Sequence, residues 1–341
     1  MGLKIKQGPK GSLRIFKEGF IRECFWFFRI LPRYNITKRP IFLFTNSRSG
    51  STLLMNMIYS QPGVDYSEIP INIYDIHRNR IRVSPLPPMS RYISLDSFDE
   101  KQLYNYFKGL INGKFRVNNQ VRLFHPDFKL SVNRLVVKEI SCLNIIDWIT
   151  DNFDVDVIYL LRHPVPRALS KLKMGWYNDD YVKAYLDNDF FVKRFLNDDM
   201  ISLTKDIYKK NDLFQFFVLE WCFENLSALS LCKKRDWLTI TYEELLMRPR
   251  KMVDLICSNF NLSDPDRMLG RVFNASRSAL NSSRDDIENK GSNYLVHRWL
   301  NQVEKERLED IQRILDVFDI DIYNVNSPYP DKKYCNFGNI N

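Results

Sequence analysis

Residues 41–58 read Ile-Phe-Leu-Phe-Thr-Asn-Ser-Arg-Ser-Gly-Ser-Thr-Leu-Leu-Met-Asn-Met-Ile, and no other stretch restricts the fold so tightly. Ile41 to Phe44 form a short apolar run behind Pro40, which suits a buried strand. Leu53, Leu54, Met57 and Ile58 then recur at helical spacing. A strand, a tight loop and a helix in that order aim backbone N–H groups and a helix amino terminus at one point, which is an anion site. Gly50 permits the turn, and Arg48, Ser51 and Thr52 supply side-chain donors around it. An ATP-type loop would read GxxxxGK[ST]. Here no Gly opens the loop, no Lys follows Gly50, and the cation Arg48 precedes that Gly by two residues. No acidic residue stands at an obvious strand end to hold Mg²⁺, so a metal-dependent nucleotide kinase is the weaker reading of the loop.

The remainder of the chain repeats the same alternation. Leu135–Val137, Val157–Leu161 and Trp237–Ile240 read as strands. Helices are expected after each: one carrying Leu143, Ile146 and Ile149, one from Pro164, and one carrying Val253, Ile256, Cys257 and Phe260. Residues 176–233 read as wholly helical and 302–317 as a last amphipathic helix, while 274–293 are polar and read as a loop. Continuous apolar strands alternating with helices predict an α/β fold, a parallel sheet flanked by helices. With 341 residues the chain divides into an arm (1–38), one domain (39–330) and a tail (331–341).

The formal charge of +9 is uneven. Residues 1–40 hold ten Lys or Arg against Glu18 and Glu23, so the rest of the chain is nearly neutral and a nucleic-acid-binding protein is not indicated. Leu13, Phe16, Phe20, Cys24, Phe27 and Leu31 recur at helical spacing among basic residues. That pattern predicts an amphipathic basic helix, packed on its own domain or lying on an anionic membrane surface. Charges interrupt every apolar stretch, so neither a membrane span nor a cleaved leader is expected. Six Cys without CxxC spacing and four scattered His suggest no metal site and no disulfide framework. The expected location is cytoplasmic, with peripheral membrane contact through residues 1–38.

A second signal lies in Tyr159-Leu160-Leu161-Arg162-His163-Pro164, with Ser170 eight residues after Arg162. Arg162 leaves a strand at its carboxyl end, where ligands bind in open α/β sheets. An Arg and a hydroxyl there suit a second phosphate.

Together the two motifs resemble the sulfotransferases that use 3′-phosphoadenosine 5′-phosphosulfate (PAPS), a P-loop-like nucleotide-binding fold. The resemblance covers roughly residues 39–330, and in motif style it is closest to the tyrosylprotein and bacterial branch. The family's loop stands here as Ser47-Arg48-Ser49-Gly50-Ser51-Thr52, with Ser47 in place of the usual Pro. The resemblance implies that this loop holds the 5′-phosphosulfate and that Arg162 and Ser170 hold the 3′-phosphate. Tyr242 matches a residue that borders the nucleotide, and Lys290-Gly291 and Arg298-Trp299 resemble segments that close over it. Glu68, twenty residues after Arg48, is the implied general base. The cytosolic branch has Lys-Thr-His where this chain has Lys138-Glu139-Ile140, so no His is available there. Lys138, with Arg48 and the loop N–H groups, would meet charge on the leaving oxygen, and no metal is required. Rival bases are Glu139, His125 and His163, the last expected to pack near the adenosine.

The implied reaction moves a sulfuryl group to a hydroxyl of a glycan, lipid or small metabolite, with a protein tyrosine as the alternative acceptor. A non-catalytic nucleotide-binding protein is the remaining alternative. The acceptor pocket is expected between 70–130 and 176–233, among Tyr74, Tyr104, Tyr106, Phe107, Trp176, Tyr177 and Trp221, although core packing explains the same aromatics.

Overall fold

The computed structural model describes residues 34–68, 71, 92–93, 95, 97–114, 127–140, 143–175, 181–232, 234–274 and 289–337. The helix expected at 13–31, Tyr74, His125, Trp176, Tyr177 and most of 274–293 lie outside them.

The elements run β1 (Ile41–Thr45), α1 (Ser51–Tyr59), β2 (Val64–Glu68), α2 (Ser97–Ile111), β3 (Arg134–Glu139), α3 (Ile146–Asn152), β4 (Asp156–Leu161), α4 (Pro164–Met174), α5 (Tyr181–Leu186), α6 (Asp189–Phe195), α7 (Asp198–Lys210) and α8 (Leu213–Cys232). There follow β5 (Leu238–Thr241), α9 (Tyr242–Met247), α10 (Pro249–Phe260), α11 (Pro265–Leu269), α12 (Gly291–His297) and α13 (Lys305–Val317). The five strands form one parallel sheet in the order β2-β3-β1-β4-β5. The alternation of strands and helices read from the sequence is therefore present, with β1 at the centre.

Alternate residues of each strand feed two separate cores, as a pleat with period two requires. Phe42, Phe44, Val137, Tyr159 and Leu161 join a cluster with helices α2, α4, α8 and α13. Ile41, Leu43, Val136, Ile158 and Leu160 join a second cluster with α1, α9 and α10. β1, β3 and β4 are thus apolar on both faces because both are covered.

β2 went unread in the sequence. Its residues Val64-Asp65-Tyr66-Ser67-Glu68 alternate polar and apolar, as an edge strand can, and it pairs with β3 alone. Asp65 is nonetheless buried and accepts a hydrogen bond from Tyr34 OH. Within the stretch read as wholly helical from 176 to 233, residues 181–232 form four helices separated by short turns. Asn188 and Asn197 each accept from the backbone N–H three residues on, which ends one helix and starts the next.

The sheet edges are tied down by segments placed outside the domain from sequence. Asn35 N donates to Val132 O (2.9 Å), and Thr37 N to Asn133 O (3.0 Å). At the opposite edge Asn336 N donates to Glu244 Oε1 (2.7 Å), and its side-chain amide donates to Thr239 O (3.2 Å). Burial raises Glu244 above the ordinary carboxylate range, against the bonds from Asn336. Deleting residues 331–341 leaves that buried carboxyl without these partners and is expected to cost about 2 kcal/mol in urea unfolding; an unchanged midpoint would show that the segment is only appended.

Candidate functional site

The register of the sheet decides which residues meet. Glu68 pairs with Lys138, Thr45 with Leu160, and Leu161 with Thr241. Five chain segments therefore end along one edge: Glu68 closing β2, Lys138 near the end of β3, the loop after β1, Arg162 after β4, and Tyr242 after β5. Ligands of open α/β sheets sit outside this carboxyl edge.

The central loop is short of ordinary backbone. Arg48 has φ 68° and Gly50 φ 89°, and α1 starts directly after Gly50 without a side-chain cap. The first-turn N–H groups of a helix have no acceptors within it, so here they point out of the sheet edge. A Cβ added at Gly50 would come within 2.4 Å of the Tyr242 ring, so only glycine tolerates both the turn and that ring.

The two motifs separated by some 114 residues are in direct contact. Arg48 Nε donates to Ser170 Oγ at 3.0 Å. Arg162 Nη1 donates to Arg48 O at 2.8 Å, and its guanidinium lies 4.4 Å from the centre of the Tyr242 ring. Burial, and then the charge of Arg162, lower Arg48 from its ordinary pKa. Two guanidinium groups so close repel each other, and an anion between them removes the cost. Ser49 Oγ and Arg162 Nε are both buried without a hydrogen-bond partner. Orphaned buried donors are uncommon and call for an explanation. A phosphate or sulfate group is an acceptor of the right charge for them, so these residues fit the expected nucleotide.

On the other side of the loop, Lys138 Nζ donates to Thr52 Oγ1 (3.1 Å) and to Glu68 Oε1. Lys138 is buried and Glu68 partly open. Thus Glu68 and Lys138 meet at the loop's far edge. Of the rival bases, Glu139 is buried and occupied with backbone, accepting from Ile71 N (3.1 Å) and Ile140 N (2.8 Å).

His163 is a structural residue. Its ring packs 4.5 Å from Trp299 and 4.9 Å from Tyr323. Its Nδ1 accepts from Val165 N (3.2 Å), capping α4, and its Nε2 lies 3.1 Å from Asn324 O. That assigns the neutral tautomer with the proton on Nε2. In the late segment Trp299, which follows Arg298, lies against this His163 ring.

The sequence reading missed the layer beneath the loop. Arg167 and Lys171 stand four apart on α4, and Glu220 and Glu224 stand four apart on α8, so each pair shares a helix face. Arg167 Nη2 donates to Glu220 (2.7 Å) and Glu224 (2.8 Å), and Lys171 Nζ to Glu220 (2.6 Å). Burial pushes Glu220 up, but Arg167 and Lys171 outweigh it and hold the carboxylate below its usual range. Burial and Arg167 lower Lys171 to about 8 against the pull of Glu220. The matching four-residue spacing was the available signal, since charges are rare in so apolar a helix as α8.

Among the described residues no cluster of three His, Cys, Asp or Glu could hold a metal ion, and no helix is long and apolar enough to cross a membrane. The sequence matches no family model and none of the curated proteins. Three sulfotransferases are among the solved structures to which the chain is similar. They are the sulfotransferase domain of the Synechococcus PCC 7002 olefin synthase (TM-score 0.45, 16% identity, 86% of this chain and 99% of that one), a mouse sulfotransferase complexed with PAP (TM-score 0.43, 16% identity, 83% and 85%), and a sulfotransferase from Mycobacterium avium (TM-score 0.39, 13% identity, 94% and 89%). The likeness is loose, and the chemistry of the site is argued from its own residues.

Burial holds the His163 imidazole down at about 3, with Arg162 adding to the effect. Unfolded, the ring titrates near 6.5. Between those values the unfolded chain binds a proton that the folded chain refuses, so stability falls as pH drops below about 6.5, by up to about 1.4 kcal/mol per pH unit. Urea unfolding from pH 7 to 5 should show that slope, and His163→Asn, which can still cap α4, should flatten it; an unchanged slope would assign the acid sensitivity elsewhere.

Proposed function

We propose that the chain is a PAPS-dependent sulfotransferase that moves a sulfuryl group to an acceptor hydroxyl. The observation that carries this reading is the contact between the two anion motifs, with Arg48 bonded to Ser170 and Arg162 bonded to the Arg48 carbonyl beside two orphaned donors. A nucleotide with two separate anionic groups uses both motifs at once, whereas a single phosphate would leave one idle. In this reading the loop N–H groups, Ser49, Ser51, Thr52 and Arg48 take the 5′-phosphosulfate. Arg162 and Ser170 take the 3′-phosphate, and the Tyr242 ring borders the nucleotide.

The chemistry follows from the order of residues along the edge. The acceptor oxygen attacks sulfur in line while the bond from sulfur to the bridging oxygen breaks. Negative charge grows on the departing 5′-phosphate, next to Arg48, the loop N–H groups and Lys138. Fixed donors at such a site each contribute about 3 kcal/mol to the transition state. The acceptor proton passes to the Glu68 carboxylate, a transfer worth roughly 10²–10⁴-fold in rate. Lys138, bonded to both Thr52 and Glu68, holds base and loop in one frame. The acceptor belongs to the class of glycan, lipid or small-metabolite hydroxyls in this reading. No step requires a metal ion.

Calorimetric titration with the product nucleotide, 3′-phosphoadenosine 5′-phosphate, in the presence of EDTA should give metal-independent binding. Arg48→Ala and Arg162→Ala should each weaken it by about tenfold or more, the size expected for charged hydrogen bonds. Binding of ATP with Mg²⁺ in its place would point to a kinase. Glu68→Gln should lower turnover by roughly 10²–10⁴-fold while leaving nucleotide affinity unchanged; turnover that survives within tenfold would move the base elsewhere.

A further inference from the structure

The loop that carries the anion site is anchored from the protein interior at its first two residues. Asn46 is fully buried, and both ends of its amide are engaged. Its Nδ2 donates to Glu224 Oε2 at 2.7 Å, and its Oδ1 accepts from Asn225 Nδ2 at 2.8 Å. Asn225 cannot flip, because its Oδ1 accepts from the Tyr159 hydroxyl at 2.6 Å. The Ser47 carbonyl accepts from Arg167 Nε at 3.2 Å. Arg167 is itself fixed by Glu220, Glu224 and the Phe217 carbonyl, the last at 2.9 Å.

We propose that Asn46, Glu224 and Arg167 are positioning residues for the anion loop, holding its backbone in a ligand-ready form without touching the ligand. The proposal rests on the loop being the 5′-phosphosulfate cradle. Three observations converge on it. The loop leaves common backbone territory immediately after the anchor, with the non-glycine residue Arg48 at φ 68°. Such conformations persist only where their surroundings over-determine them. The anchor also joins three separate elements, β4 through Tyr159, α4 through Arg167 and α8 through Glu224 and Asn225, so no one of them moves the loop alone. Finally, the anchor is ionic. Apolar residues of equal volume usually pack an interior at least as stably as a buried charge network. A network fixes direction as well as contact, because a guanidinium fork and an amide each accept one orientation of their partners. A cradle preset in this way binds without the ordering cost that a loose loop would meet on binding.

The test uses the full chain and the variant Asn46→Ala, which removes the amide but leaves the pairing of Arg167 and Lys171 with Glu220 and Glu224 intact. Glu224→Gln is the second variant, since it keeps shape and hydrogen bonding if Asn46→Ala fails to fold. Two quantities are read at a temperature well below unfolding: amide hydrogen exchange of residues 47–52, and calorimetric affinity for 3′-phosphoadenosine 5′-phosphate. The expected result is exchange faster by about tenfold or more in the loop, with α4 and α8 unchanged, and affinity weaker by a similar factor. A lower thermal midpoint with both quantities within about threefold of wild type overturns the proposal, because the network would then only stabilise the helix pair. If the wild-type protein binds no nucleotide, the sulfotransferase reading falls and exchange decides alone. A loosened loop then upholds the anchor, and an unchanged loop refutes it.

Discussion

Two cations and two carboxylates, all nearly or wholly removed from water, sit under the turn that follows the central strand. Removing such groups from water costs several kcal/mol per ion, which only close pairing and further hydrogen bonds offset. Here the pairing is close: Arg167 spans Glu220, Glu224 and two backbone carbonyls, and Lys171 occupies the remaining side of Glu220. The requirement fixes α4 against α8, and through them the apolar core on that face of the sheet. It also explains why Glu220 and Glu224 occupy an otherwise apolar helix. Removing one member strands an opposite charge, so the four behave as a unit.

Above that layer, the sheet edge sorts chemistry by position. Strand order places Glu68 and Lys138 on one side of the loop and Arg162 and Tyr242 on the other. The Glu68 carboxylate is thus kept apart from the neighbouring Arg48 and Arg162. An acidic group among those guanidinium groups would have neutralised the site before any ligand arrived. Glu243, the nearest carboxyl in sequence to Tyr242, instead turns inward to His163 N and Tyr323 OH.

The sequence disclosed the parts of this arrangement that are local. β1, its loop and α1 were readable because an apolar run, a glycine turn and a helical repeat follow one another within 18 residues. β3 and β4 were readable because burial on both faces gives each a continuous apolar run, and β5 because Trp237, Leu238 and Ile240 are apolar and Thr239 is β-branched. β2 was not, since Asp65, Ser67 and Glu68 interrupt it and its place in the sheet depends on pairing with β3 across some 70 residues. Arg162 and Ser170 were visible as a spacing, but their contact with Arg48 was not. The Arg167–Glu220 pairing left only a spacing as its trace: each helix shows two like charges a turn apart, and only their juxtaposition in space makes them partners. His163 was read as a neighbour of the nucleotide because it follows Arg162, yet its ring serves the core through Trp299 and Tyr323.

The central position of β1 has a consequence for how the protein comes into being. Among the described strands the one bearing the loop is made first, yet its neighbours β3 and β4 and the ring of Tyr242 arrive about 90 to 200 residues later. Contacts between residues so distant along the chain form slowly, because loop closure precedes any gain from them. A growing chain therefore has no cradle to offer until the fifth strand has been synthesised and docked. In the proposed reading, an anionic ligand therefore recognises the finished molecule alone and adds its binding energy to that state, acting as a check on completion rather than as a template for assembly.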